Sequence, residues 1–194
     1  MHTNTVAVTD ALILIDRELS SVAARLAGDI DTAAQLSALT ESVANADRVF
    51  LVGAGRSGLA LRMTAMRLMH LGLSVHVVGD VTTPAIRSGD VLLTASGSGT
   101  TGGIVRAAQS AVNAGASVAA ITTAASSPLA ALAATLVVVP AAGKLDRSGS
   151  ASSQYSGSLF EQLVVVIGDA LFHTLWQRGG SSADELWSLH ANLE

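Results

Sequence analysis

The chain has 194 residues, of which 49% are hydrophobic and only 13% charged, with a net charge of −4. That is the length of one domain with ample apolar material for a core, which excludes an intrinsically disordered chain. The eleven Lys and Arg residues form no basic run, which argues against a nucleic-acid binder, and the lack of cysteine excludes a disulfide scaffold, a thiolate metal site and a Cys nucleophile and fits a cytoplasmic protein.

Two helices open the chain. Leu12, Ile15, Leu19, Val22 and Leu26 recur at helical steps over about 10–27, and Leu36, Leu39 and Val43 share one face of a second helix over 31–46. This extension (1–46) carries no evident chemistry and is expected to pack on the main domain or on another subunit. From residue 47 to the end, short apolar runs alternate with helical stretches. The runs are 49–52, 74–78, 90–94, 117–122 and 136–139, and helices are expected over 57–71, 102–114 and 128–133. The runs are continuous rather than alternating, as strands covered on both faces should be. The pattern predicts an α/β three-layer sandwich with a five-stranded parallel sheet in the flavodoxin-like order 2-1-3-4-5, all in a single domain. A Gly/Ser-rich loop (141–158), a long helix (159–177) and a short one (183–189) complete it.

Mean hydropathy is high, at +0.49. A membrane span needs ~20 nearly uninterrupted apolar residues. The best stretch, 159–176, is broken by Glu161, Gln162, Asp169 and His173, so a buried helix and no membrane span are expected. The N-terminus shows neither a basic segment nor a small-residue cleavage pattern, so no signal peptide is expected. The remaining outlet for the apolar surface is a homo-oligomer.

Two loops carry the candidate chemistry. Gly53-Ala-Gly-Arg-Ser-Gly58 follows the first strand and opens a helix, and Asp80 stands at the end of the second. Alone, this pattern fits a dinucleotide, another phosphorylated ligand or an empty tight turn equally well. Ser96-Gly-Ser-Gly-Thr-Thr101 follows the third strand. Its glycines let backbone N–H groups converge, its hydroxyls add donors, and the helix after it adds positive potential, which together suit a terminal phosphate. No P-loop lysine is present, so ATP and GTP are disfavoured.

With the segments Met66-Arg-Leu-Met-His-Leu-Gly72, Gly157-Ser-Leu-Phe-Glu-Gln162 and His190-Ala-Asn-Leu-Glu194, these loops make the chain from about residue 46 onward resemble the SIS (sugar isomerase) domain family, and within it the 6-phospho-3-hexuloisomerases. The resemblance implies isomerisation of D-arabino-hex-3-ulose 6-phosphate to D-fructose 6-phosphate in the ribulose monophosphate pathway of formaldehyde fixation or detoxification. It implies an enediol intermediate and no metal or cofactor. It also implies a homotetramer with sites between subunits, working with hexulose phosphate synthase. The alternatives are another phosphosugar aldose–ketose isomerase or a non-catalytic phosphosugar sensor.

Glu161 is the candidate base. By spacing, Ser158-Leu-Phe-Glu161 reads first as a capping box, and the family resemblance favours catalysis. His70 and His190 are rival proton shuttles, one at a helix end and the other near the C-terminus, where a neighbouring subunit can donate it. Substrate-binding candidates are Gly55, Arg56, Ser57, Ser96, Ser98, Thr100, Thr101 and Gln154. Asp80, His76 and His173 read as structural, and Met63, Met66 and Met69 as core or interface packing.

Overall fold

A computed structural model describes residues 7–143 and 152–193. The middle of the Gly/Ser-rich loop, with Lys144, lies outside them. The elements in chain order are α1 (Val8–Gly28), α2 (Ile30–Ala44), β1 (Val49–Gly53), α3 (Gly55–His70), β2 (Val75–Val77), β3 (Val91–Ala95), α4 (Gly102–Asn113), β4 (Ser117–Thr122), α5 (Pro128–Leu132), β5 (Thr135–Val138), α6 (Ser158–Gly179) and α7 (Ala183–Trp187). All five strands pair in parallel in the order β2-β1-β3-β4-β5, as expected.

Both faces of the sheet are covered, and successive residues of one strand serve opposite cores. Val49 and Leu51 of β1, Val91 and Leu93 of β3, and Ala119 and Ile121 of β4 face α1, α2, α3 and α6. Phe50, Leu92, Val118 and Ala120 face α4 and α5. Period-2 geometry with two dry faces explains why the runs read as uninterrupted apolar text.

Helices α3 and α6 pack closely against each other. A Cβ at Gly168 of α6 would collide with the Thr64 hydroxyl of α3, so the missing side chain sets the spacing. Helix α6 is long and apolar enough to cross a membrane by length and composition alone. Its Leu159, Phe160, Leu163, Val164, Ile167 and Leu171 are instead buried in the core. Helix α1 packs along α6, and α2 lies against β5, where Gln35 Oε1 accepts from the Val138 N–H at 3.1 Å.

The methionine stripe is not core. Leu59, Met63, Met66 and Met69 are all at least 39% exposed along α3. His70, at the end of the same stripe, is covered by the C-terminal segment.

Candidate active site

Strand order places a switch point between β1 and β3, whose chains leave in opposite directions. Gly53 pairs with Ala95 at the carboxyl ends of these strands, so the two candidate loops begin side by side, where open α/β sheets bind ligands.

The first loop turns sharply because Gly55 adopts φ +58°. Gly53 and Gly58 lie so close that a Cβ on Gly53 would sit 2.8 Å from the Gly58 Cα. These glycines therefore set strand-to-helix packing, whatever ligand the loop meets. Asp80 sits in the turn after β2, where its N–H donates to the Val77 carbonyl at 3.1 Å, and its side chain pairs with Arg62 at 2.8 Å on the surface.

The second loop is braced from below. The Gly97 carbonyl accepts from the Thr122 hydroxyl at 3.1 Å, the Thr123 hydroxyl at 2.8 Å and the Thr123 N–H at 3.1 Å. The Leu129 N–H donates to the Gly99 carbonyl at 3.0 Å. Gly99 has φ +62°, and a Cβ there would collide with Ser127, which caps α5. Within the turn, the Ser96 and Thr101 hydroxyls are 3.0 Å apart, and the Ser98 Oγ accepts from the Thr100 hydroxyl at 2.9 Å. Thr101 is the residue before α4 and makes no side-chain cap, so the first N–H groups of α4 stay directed into the turn. Ser57 is buried in the first turn of α3.

Helix α6 starts at the same place. A Cβ on Gly97 would lie 3.4 Å from the Phe160 ring, so the first turn of α6 packs against the second loop. The next residue, Glu161, is 8% exposed. Its Oε2 lies 3.2 Å from Arg56 Nε, and the Arg56 side chain is 61% exposed. The capping box is not formed. Gly157, with φ +89°, precedes the helix and Ser158 is already in its first turn, so Glu161 turns toward Arg56 rather than back to Ser158.

Gln154 is engaged at both ends of its amide. Its Nε2 donates to Glu18 at 3.0 Å and its Oε1 accepts from Gln162 Nε2 at 2.9 Å. Glu18 lies on α1, and nothing in the helical pattern of that extension singled it out.

The histidines stand elsewhere. His70 ends α3, about 21 Å along the helix from Arg56 at the ~1.5 Å rise per residue. His190 stacks on it with ring centroids 4.0 Å apart, and Trp187 stacks on His190 at 4.7 Å. The two rivals are thus a pair, a buried His70 behind an exposed His190. They line a cavity of about 480 Å³ with Arg67, Asp169, His173 and Trp176. Burial pushes the His70 imidazole below its ordinary range, helped by the neighbouring His190 and Arg67. Among the described residues, no three His, Asp or Glu side chains form a metal-binding group.

Residues 42–165 match the SIS domain family, and the chain belongs to that family. A protein of Mycobacterium gastri named 3-hexulose-6-phosphate isomerase is 51% identical over 96% of this chain and 92% of its own. A Bacillus subtilis protein of the same name is 36% identical over 80% of this chain and 85% of its own. A solved Methanococcus jannaschii protein, described as inferring a 3-hexulose-6-phosphate isomerase function, superposes with a TM-score of 0.81 at 25% identity, covering 95% of this chain and 99% of that one.

Proposed function

We propose that this chain isomerises D-arabino-hex-3-ulose 6-phosphate to D-fructose 6-phosphate through an enediol. The observation that carries the reading is the buried Glu161 carboxylate, oriented by Arg56, beside a hydroxyl-dense turn at the β1/β3 switch point. The full-length likeness to proteins named for this reaction supports it.

The phosphate sits in the Ser96–Thr101 turn, held by the Ser96, Ser98, Thr100 and Thr101 hydroxyls and the first N–H groups of α4. Anchored there, the sugar reaches toward Gly55, Arg56 and Ser57. Glu161 takes the proton from C2, the C3 carbonyl becomes the second oxygen of an enediol, and the protonated Glu161 returns the proton to C3. The two carbons are adjacent, so one carboxyl group serves both steps. A proton must also leave O2 and reach O3. The exposed Arg56 guanidinium is placed to steady the oxygen on which negative charge develops.

A histidine about 21 Å away on the same chain cannot carry that oxygen proton. We infer that His70 and His190 act in the site of a second copy, within a homotetramer whose sites are shared. The low folded pKa keeps His70 neutral near pH 7, able to accept or give a proton. The enzyme works without metal or cofactor, in the cytoplasm, downstream of hexulose phosphate synthase in formaldehyde fixation or detoxification.

The test supplies hexulose phosphate from ribulose 5-phosphate, formaldehyde and a synthase. Fructose 6-phosphate is then read through glucose-6-phosphate isomerase and dehydrogenase. Turnover that needs the chain and is lost in Glu161→Gln supports the reading. No turnover here, with turnover of an aldose phosphate instead, selects a different isomerase of the same family.

A further inference from the structure

The N-terminal helix reaches the active-site loop through one carboxylate. Glu18, half-buried on α1, accepts from the Ser152 hydroxyl at 2.6 Å, the Ser153 N–H at 2.7 Å and the Gln154 side-chain amide at 3.0 Å. Three consecutive residues of the chain leading into α6 therefore end on one side chain more than 130 positions earlier in sequence.

The contact has a direction. An ionised carboxylate only accepts, so Glu18 forces the NH₂ of Gln154 to face it and the carbonyl oxygen of Gln154 to face the other way. That oxygen accepts from Gln162 Nε2 at 2.9 Å, which in turn fixes the Gln162 amide. Gln162 adjoins Glu161 in the first turn of α6. Its other amide atom, Oε1, is buried with no hydrogen-bond partner among the described residues. An open buried acceptor is unfavourable, so this orientation is one the side chain would not choose alone. The Glu18–Gln154–Gln162 series imposes it.

We propose that Glu18 is a positioning residue for the isomerisation: by pinning residues 152–154 and orienting Gln154 against Gln162, it fixes the entry into α6 and thereby the direction of the Glu161 carboxylate. The inference rests on the reading of Glu161 as the base. Burial pushes the Glu18 carboxyl up, but the bonds from Ser152, Ser153 and Gln154 outweigh it and hold the group below the usual Glu range. The clamp is therefore ionised at any pH at which the enzyme would work. The phosphate turn is braced separately, by Thr122, Thr123 and Ser127, so loosening the clamp acts on the chemical step and spares substrate anchoring.

The test compares wild type, Glu18→Ala, Glu18→Gln, Ser152→Ala and Glu161→Gln in the coupled hexulose phosphate assay, with melting temperature measured on each and amide exchange followed over residues 152–162. A misplacement of about 1 Å can cost on the order of 100-fold, so Glu18→Ala is expected to lower kcat about 10- to 100-fold with KM within about two-fold. Exchange in 152–162 rises in the same variant. Glu18→Gln keeps one acceptor oxygen for Ser152 and Gln154 and loses the bond from the Ser153 N–H, so its kcat falls in between. It also serves as the test if the alanine variant does not fold. A purely structural clamp would lower the melting temperature and leave kcat per folded enzyme unchanged, and that result, beside an active wild type and an inactive Glu161→Gln, overturns the proposal. A wild type without turnover overturns the reading of the site instead, and unchanged exchange then removes the clamp as well.

Discussion

Two inactive variants of this protein should restore each other. Arg56, which pairs with Glu161, and His70, which stacks on His190, stand at opposite ends of α3, about 21 Å apart along the helix. If the histidine pair serves the neighbour's site, each complete site draws its carboxylate from one chain and its histidines from another. Glu161→Gln chains keep good histidines, and His70→Ala or His190→Ala chains keep a good carboxylate. In a randomly reassociated equal mixture, a site receives its intact carboxylate with probability about one half and its intact histidine likewise, so about a quarter of the sites regain both. Activity should rise from the background of either parent to about 25% of wild type. The assay is coupled fructose 6-phosphate formation after mild dissociation and reassociation, with oligomeric state checked by light scattering. Running both histidine variants also assigns roles. On the shared-site reading, the exposed His190 would meet the neighbour, with His70 behind it as support. Parents that mix into confirmed hybrid oligomers without any gain in turnover would refute the shared site. So would a double histidine variant with a normal rate, which removes histidine from the reaction altogether.

Further outcomes follow from the same geometry. Glu161→Gln keeps the side chain's volume and an acceptor for Arg56, so melting temperature should stay near wild type while kcat falls at least ~100-fold, the usual loss for a general base; steady-state kinetics beside a thermal melt checks this. Gly99→Ala must hold a Cβ at φ +62° and push Ser127 aside, which should cost about 2–4 kcal/mol in a urea titration and raise KM more than it lowers kcat, because the phosphate turn is what moves. The folded pKa of His70 is depressed, so between that value and the ordinary ~6.5 the unfolded chain binds more protons and stability should rise with pH. Below the folded value the penalty is complete and the slope ends. Urea midpoints between pH 5 and 8 should show this slope in wild type and a shallower one in His70→Ala.

The sheet was legible because its residues answer to two dry faces at once. Val49, Phe50, Leu51 and Val52 read as a doubly covered strand, and the glycines at 53, 55 and 58 mark the turn that follows. The hydroxyl turn stands out for a similar reason: Ser, Gly and Thr gather at that density just past the end of a parallel strand. The role of Glu161 was not settled by spacing. A Ser three residues before a Glu satisfies the capping pattern, yet Gly157 in the left-handed region starts the helix one residue earlier than that pattern needs. Glu18 left no trace, since its partners lie more than 130 residues away and an acidic residue on an amphipathic helix reads as solvated surface. The distance between Glu161 and the histidines was available in principle. His70 ends a helix that begins at the first loop, so a straight helix alone carries it to the far edge of the sheet.

The exposed stripe on α3 would tie the hydropathy of the chain to the proposed shared site. Leu59, Met63, Met66 and Met69 run from the loop end of the helix to the His70 end, and no helix among the described residues covers the stripe. Methionine and leucine at such exposure suit an adaptable contact. A two-fold axis placed near the middle of the stripe would lay α3 of one copy antiparallel to α3 of another. That arrangement buries the stripe on itself and sets the His70 end of each chain beside the Arg56 end of the other. One packing event would then dispose of the excess apolar surface and close the 21 Å gap in the catalytic set (about 14 residues of helix). Met66→Glu, near the middle of the stripe and remote from both ends, should therefore break the assembly and the activity together while each chain stays folded. A monomer that keeps full turnover would show that the stripe and the chemistry are unrelated.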